Sequence, residues 1–184
     1  GFMRLSDPSE RWHAILMVRG DIQIPFDGFD DLDTRDAWSG AATALFGDFP
    51  FRGLVVGAEA GHLWYAGGID EDDFEPGLEV EIRATPLLGT LGLTVGPVSG
   101  VDFIARANAG LAIYRVEQEV EFGGDTIYDD EYVEEDPAFG GTVEFGFGLG
   151  NHGRVAISTT YLAVVGDDDT FSWIGFGLGF GGRY

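Results

Sequence analysis

Apolar residues recur at every second position through most of this chain, a spacing that only an extended strand gathers onto one face. From Trp12 to Pro25 the even positions are apolar or glycine, while the odd positions turn polar at Arg19, Asp21 and Gln23. Leu54 to Trp64 repeats the pattern against Gly57, Glu59 and Gly61, and Leu78 to Ala84 repeats it against Glu79, Glu81 and Arg83. Val101 to Ile113 alternates with Asp102, Arg106 and Asn108, and Phe139 to Leu149 with Glu144 and glycines. Phe171 to Tyr184 alternates Ile174, Phe176, Leu178, Phe180 and Tyr184 with Trp173, glycines and Arg183. Three further segments are weaker: Ser39 to Phe46 shows no clear face, Leu87 to Val95 changes phase after Pro86 as at a bulge or an edge-like kink, and Arg154 to Val165 puts Leu162 and Val164 on the polar side. The expectation is eight strands.

The connections alternate in length. Gly47–Pro50, Gly96–Gly100 and Gly150–Gly153 are short and carry turn chemistry. Segments 26–37, 69–76, 125–136 and 166–170 read as long loops holding 20 of the 32 acidic residues. Long and short connections taking turns describe an up-and-down barrel with both termini at the short-turn end.

A water-soluble barrel would also alternate, with its apolar face turned inward. Here the polar face is built of Gly, Ala and Thr with isolated charges of both signs, and the chain has no lysine: all ten basic residues are arginine. That set suits a narrow interior better than a solvated surface. Eight strands leave an interior just wide enough for side chains, and charges there must pair. Arg19, Arg83, Arg106 and Arg183 are expected to neutralise Asp21, Glu59, Glu81 and Glu144 in a lumenal network. Trp12, Trp38, Trp64, Tyr65 and Phe171 near strand ends fit the aromatic girdles of a membrane interface. The reading is all-β: an eight-stranded antiparallel up-and-down transmembrane β-barrel over residues 12–184, preceded by a periplasmic segment, 1–11.

Three stretches carry a resemblance to the small bacterial outer-membrane barrels of the OmpA/OmpX type, spanning roughly Trp12 to Tyr184. GDIQIPFDGFDD (20–31) is similar to the family's first strand and acidic loop, and ARANAGLAIY (105–114) to its fifth strand. FSWIGFGLGFGGRY (171–184) looks like the C-terminal assembly signal, with Tyr184, Phe180, Leu178 and Phe176 in place and Gly182 departing from the expected apolar residue. The resemblance implies an outer-membrane location, with lipid, lipopolysaccharide and the barrel assembly machinery as partners. It leaves any extracellular partner open.

Other classes find little in the chain. A net charge of −22 opposes nucleic acid binding. Cysteine is absent, which removes disulfides and thiolate metal sites. His13, His62 and His152 have no ligand spacing, Ser158 and Ser172 have no adjacent histidine, and the terminal glycines are followed by no helix that would make a phosphate loop. No run reaches the ~18 apolar residues of a membrane helix. Gly1-Phe2-Met3-Arg4 is too short and polar for a signal peptide, which is read as removed or outside the sequence. No firm metal site or cofactor is expected. Asp70, Asp72 and Asp73, Asp129 and Asp130, and Asp167, Asp168 and Asp169 are candidates for weak Ca²⁺ or Mg²⁺ binding, none within a calcium-loop motif. The function expected is a non-enzymatic structural or surface-interaction barrel with acidic loops and a plugged interior. The rivals are a soluble carrier of an apolar ligand and a lipid-modifying membrane enzyme.

Overall fold

The computed structural model describes residues 14–27, 33–47, 53–69, 76–98, 100–122, 125–166 and 170–184. They form eight antiparallel strands: β1 Ala14–Asp27, β2 Asp33–Gly47, β3 Leu54–Ile69, β4 Gly77–Val98, β5 Val101–Phe122, β6 Asp125–Leu149, β7 Gly153–Val165 and β8 Thr170–Arg183. Each pairs with its sequence neighbours, and β8 closes on β1 from Ile15↔Arg183 to Asp27↔Ser172. Closure leaves no open edge in the lower barrel, the condition for a sheet to cross lipid. The short connections carry glycines at positive φ, Gly53, Gly100 and Gly150, where tight turns need them. Trp12 and the N-terminal segment lie outside the described residues.

Register shows how polarity relates to face. Along β4 the residues Leu78, Val80, Ile82, Ala84, Leu88 and Thr90 point inward, and Glu79, Glu81, Arg83, Leu87, Leu91 and Leu93 point outward. The pairing is the same on both sides of Pro86 (Leu63↔Ala84, Ala60↔Leu87), and the register with β5 runs unbroken from Gly77↔Glu121 to Val95↔Phe103. The expected bulge is therefore absent. The environment changes, and the strand does not: below Pro86 the outside is apolar and above it the outside is charged. β5 switches at the same level, from Leu111 and Ile113 outside to Arg115, Glu117 and Glu119.

The interior is layered to match. Ile15, Met17, Leu45, Val55, Ile104 and Ala156 form an apolar floor at the short-turn end. A polar and ionic belt begins at the level of this floor, where Arg183 stands opposite Ile15, and rises above it through Arg19, Glu59 and Arg106. Over that sits a larger apolar cluster that includes Leu63, Tyr65, Val80, Ile82, Tyr114, Val116, Leu162, Val164 and Trp173. This upper cluster explains why Leu162 and Val164 broke the expected pattern, and it takes in Tyr65, expected in the girdle, with Phe171 packed against it.

Strand length is uneven. β4, β5 and β6 have 22, 22 and 25 residues, against 13 and 14 for β7 and β8. Segment 125–136, expected as a loop, is the upper half of β6. Both its faces are exposed, so no apolar alternation marked it as a strand.

Candidate functional site: an ionic belt below an acidic ribbon

The ions of the belt come from six strands. On β1, Arg19 Nε donates to Asp21 Oδ2 at 2.7 Å, and Arg19 Nη2 reaches Glu59 Oε1 on β3 at 3.2 Å. Glu59 Oε2 accepts from Arg106 Nη2 of β5 at 2.7 Å and from the Thr43 hydroxyl of β2 at 2.8 Å. Arg106 Nη1 lies 3.4 Å from Glu144 Oε2 on β6. Glu144 Oε1 pairs with Arg154 of β7, and Arg154 Nη2 pairs with Asp102 Oδ1 of β5 at 2.5 Å. Arg183 of β8 closes the chain on Asp102 Oδ2 at 2.7 Å. Four arginines thus balance four carboxylates, all almost wholly buried except Arg183. Burial of ions costs several kcal/mol each unless partners and hydrogen bonds compensate. Thr43, Ser39 and Ser158 supply hydroxyl donors to the carboxylates.

Room for the belt comes from glycine. A Cβ on Gly177 would collide with the Asp21 carboxylate, one on Gly146 with both Asp102 and Arg154, and one on Gly175 with the Gln23 amide. Gly175, Gly177, Gly179 and Gly181 of β8 are spacers on the inner face, opposite Gln23, Asp21, Arg19 and Met17 of β1.

The structure corrects part of the expected network. Glu81 and Arg83 stand on the outside, contacting each other, with Glu81 accepting from Trp64 Nε1 at 2.7 Å. They share parity with Leu87 and Leu91, and above the apolar band that parity faces water. Asp102 and Arg154 belong to the belt and were missed. Their signal was present, since each shares its strand's inward parity with Arg106 or Ser158.

Outside, Leu16, Val18, Phe139, Phe145, Phe147, Phe176, Leu178 and Phe180 are exposed and make an apolar band. Its upper rim carries Trp38 and Trp64, with ring centroids 5.9 Å apart, and His62 6.2 Å from Trp38. The four C-terminal residues of interest, Phe176, Leu178, Phe180 and Tyr184, are all outward. His152 stacks on Tyr184 at the opposite end. Neither His62 nor His152 approaches Ser158, which faces Asp21 inside.

Above the band β4–β6 form an acidic ribbon. Its outer face bears Glu79, Glu81, Glu117, Glu119, Asp129, Glu131 and Glu135, with Arg83 and Arg115 among them. Arg115 pairs with Glu117 at 2.9 Å and Glu131 at 2.5 Å. Partial burial raises the Glu81 carboxyl, but the Trp64 indole N–H and the hydrogen bond and charge of Arg83 outweigh it and hold it below the usual glutamate range. Asp129 and Asp130 are strand neighbours whose side chains leave opposite faces, so they do not converge on one ion. Among the described residues no group of His, Cys, Asp and Glu is placed to hold a metal. Asp70, Asp72, Asp73, Asp167, Asp168 and Asp169 lie outside the described residues.

No family model and no curated protein matches the sequence. Solved structures do match its fold. Neisserial surface protein A is similar over 94% of this chain and 97% of its own, with a TM-score of 0.57 and 9% identity. The attachment invasion locus protein Ail of Yersinia pestis covers 95% and 99%, at 0.52 and 11%. The outer-membrane protease OmpT of Escherichia coli covers 94% and 93%, at 0.51 and 8%. These likenesses show the fold of this chain: a closed, eight-stranded antiparallel barrel with an outward apolar band, the architecture it shares with those bacterial surface and outer-membrane proteins.

Proposed function

We propose that the protein is a non-conducting outer-membrane barrel whose task is interaction at the cell surface, performed by the acidic ribbon of β4–β6. One observation supports the reading: buried ion pairs and apolar side chains pack the inner face at the level of the band, while the strands of one side continue beyond it. The ion pairs share the lower lumen with one apolar cluster, and the larger apolar cluster lies over them. Between the belt and the upper layer is a void of about 30 Å³, lined by Arg19, Glu59, Leu88, Asn108 and Leu162, and the larger pocket, of about 810 Å³, opens mainly among outward residues such as Leu16, Val18, Leu87 and Phe180; both speak against a wide water path or a carrier's enclosed ligand cavity. A hydrolytic role has little support, with Ser158 bound to Asp21 and the described histidines elsewhere.

The exposed Phe176, Leu178, Phe180 and Tyr184 serve in this reading as the assembly signal for the barrel machinery, and residues 1–11 as a periplasmic segment. Acidic segments 69–76 and 166–170 would draw Ca²⁺ or Mg²⁺ as a weak, diffuse association that also bridges to lipopolysaccharide phosphates. Ail has been solved with the heparin analogue sucrose octasulfate. A polyanion of that type is repelled by the ribbon here. The test is twofold: planar bilayers containing the protein should show no large stable conductance, and protease added to intact cells should cut in β5 or β6 above the band. Porin-like conductance, or a ribbon inaccessible from outside, would refute the proposal.

A further inference from the structure

Glu79, Glu119 and Asp129 stand side by side across three strands. The register sets Glu79 of β4 opposite Glu119 of β5, and Glu119 opposite Asp129 of β6. Two residues nearer the membrane, Glu81, Glu117 and Glu131 repeat the arrangement. Neighbouring strands lie about 4.8 Å apart, and same-face residues follow one another at roughly 6.8 Å along a strand. Two rows of carboxylates thus form a grid on one outer face. Like charges directly opposite each other weaken a sheet.

Little else holds these strands together. Every residue of β6 from Asp125 to Glu131 is exposed, so no apolar layer anchors the tip. β6 pairs there with β5, and among the described residues none pairs with its other side above Ala138. A narrow ribbon wet on both faces is marginally stable, and its backbone hydrogen bonds add little net free energy against water. Charge therefore decides whether the tip stays paired.

The two rows differ in their cations. Arg115 pairs with both Glu117 and Glu131, and Arg83 pairs with Glu81, so each carboxylate of the lower row has an arginine. In the upper row Glu119 accepts from the Thr126 hydroxyl, a neutral donor that leaves its charge uncompensated. Salt weakens attractions and repulsions alike. The lower row, where the two oppose each other, responds little to it, and the upper row gains most.

We infer that the ribbon is an ionic-strength switch: β5 and β6 pair to their tips in saline medium and separate from the tip downward on dilution, as far as the row bridged by Arg115. At 0.01 M salt the Debye length is about 30 Å and the whole grid repels; at 1 M it is about 3 Å, shorter than the strand spacing. Screening removes the repulsion and leaves the backbone hydrogen bonds in place. The switch concerns the folding of the ribbon itself and stands whether or not the ribbon engages a partner.

Hydrogen exchange tests it. The full protein in nanodiscs of zwitterionic lipid is labelled at one pH in ~10 mM and in ~1 M NaCl, concentrations that bracket the change in screening. Exchange of segments 117–122 and 125–131 is referred to free synthetic peptides of the same sequence, which removes the effect of salt on intrinsic rates. Protection should rise at least about tenfold from low to high salt. Glu119→Gln/Asp129→Asn should be protected already at low salt, its remaining response within about threefold. Arg115→Gln, which removes the bridge of the lower row, should lower protection at low salt and carry the opening toward the barrel. Protection equal at both salt concentrations, a response unchanged in Glu119→Gln/Asp129→Asn, or a ribbon better protected at low salt in Arg115→Gln than in the parent would each overturn the inference.

Discussion

Arg154 on β7 and Asp102 on β5 form a two-pronged ion pair across the inner face of β6: Nη2 donates to Oδ1 at 2.5 Å and Nε to Oδ2 at 3.1 Å. Both side chains are fully buried. The intervening strand permits this only because its residue there is Gly146. Asp102 also holds Arg183, so one carboxylate anchors two guanidinium groups.

Asp102→Ala strips Arg183 of its carboxylate and leaves Arg154 with Glu144 alone, in a buried site. The expected loss is about 3–5 kcal/mol, the usual cost of breaking a buried pair, read by urea unfolding of the protein refolded into lipid vesicles. Arg83→Gln, removing a half-exposed charge outside the belt, should shift the same curve by less than about 1 kcal/mol. Equal effects would place Asp102 and Arg83 in like environments, against the structure.

Gly146→Val fills the space through which Arg154 reaches Asp102. Overpacking of this kind costs roughly 1–3 kcal/mol. In an Asp102→Ala background the added cost should shrink, because the pair it disrupts is already gone. A double-mutant cycle with strictly additive losses would show that the glycine acts elsewhere.

Phe145 is 46% exposed in the apolar band, its ring 5.0 Å from that of Phe103. Phe145→Arg should cost about 2–4 kcal/mol in vesicles, as charges on the lipid face of a barrel do. An unchanged midpoint would mean that this face meets protein or water.

Glu81 is a pH probe above the band. Its folded carboxyl titrates below the ordinary glutamate value of ~4.3, because the Trp64 and Arg83 hydrogen bonds outweigh partial burial. A depressed pKa contributes stability above the unfolded value and loses it as pH falls through the folded one. Glu81→Gln should therefore be less stable than the parent at neutral pH, with the difference vanishing in acid. The gap should be small, since the site is mostly solvated. A gap that widened on acidification would reverse the sign.

Period two told which residues share a face, and that was enough for the strand count and for setting Arg19, Asp21, Glu59, Arg106, Glu144 and Arg183 on one face. It did not tell which face is inside, because polarity inverts along a strand that leaves the membrane. Leu78, Val80 and Ile82 are apolar for the same reason as Leu87 and Leu91, exclusion from water, yet they point in opposite directions. Glu81 and Arg83 were drawn inside by that inversion. Residues 125–136 hid in another way, since a strand wet on both faces shows no alternation. Asp102 and Arg154 carried the right parity but lie near turns, where parity alone does not separate a lumenal ion from a solvated one.

The central claim is that β4 keeps one parity throughout while its surroundings switch from water to lipid. The chain has no cysteine, so nitroxide labels on single introduced cysteines can be scanned from position 78 to 94 in nanodiscs, with accessibility to oxygen and to a water-soluble nickel chelate measured at each. Positions 79, 81 and 83 should favour the nickel reagent, 87, 91 and 93 should favour oxygen, and the even positions should be shielded from both. A reversal of the shielded parity on crossing Pro86 would contradict the continuous register, and with it the placement of the lipid boundary and the acidic ribbon above it.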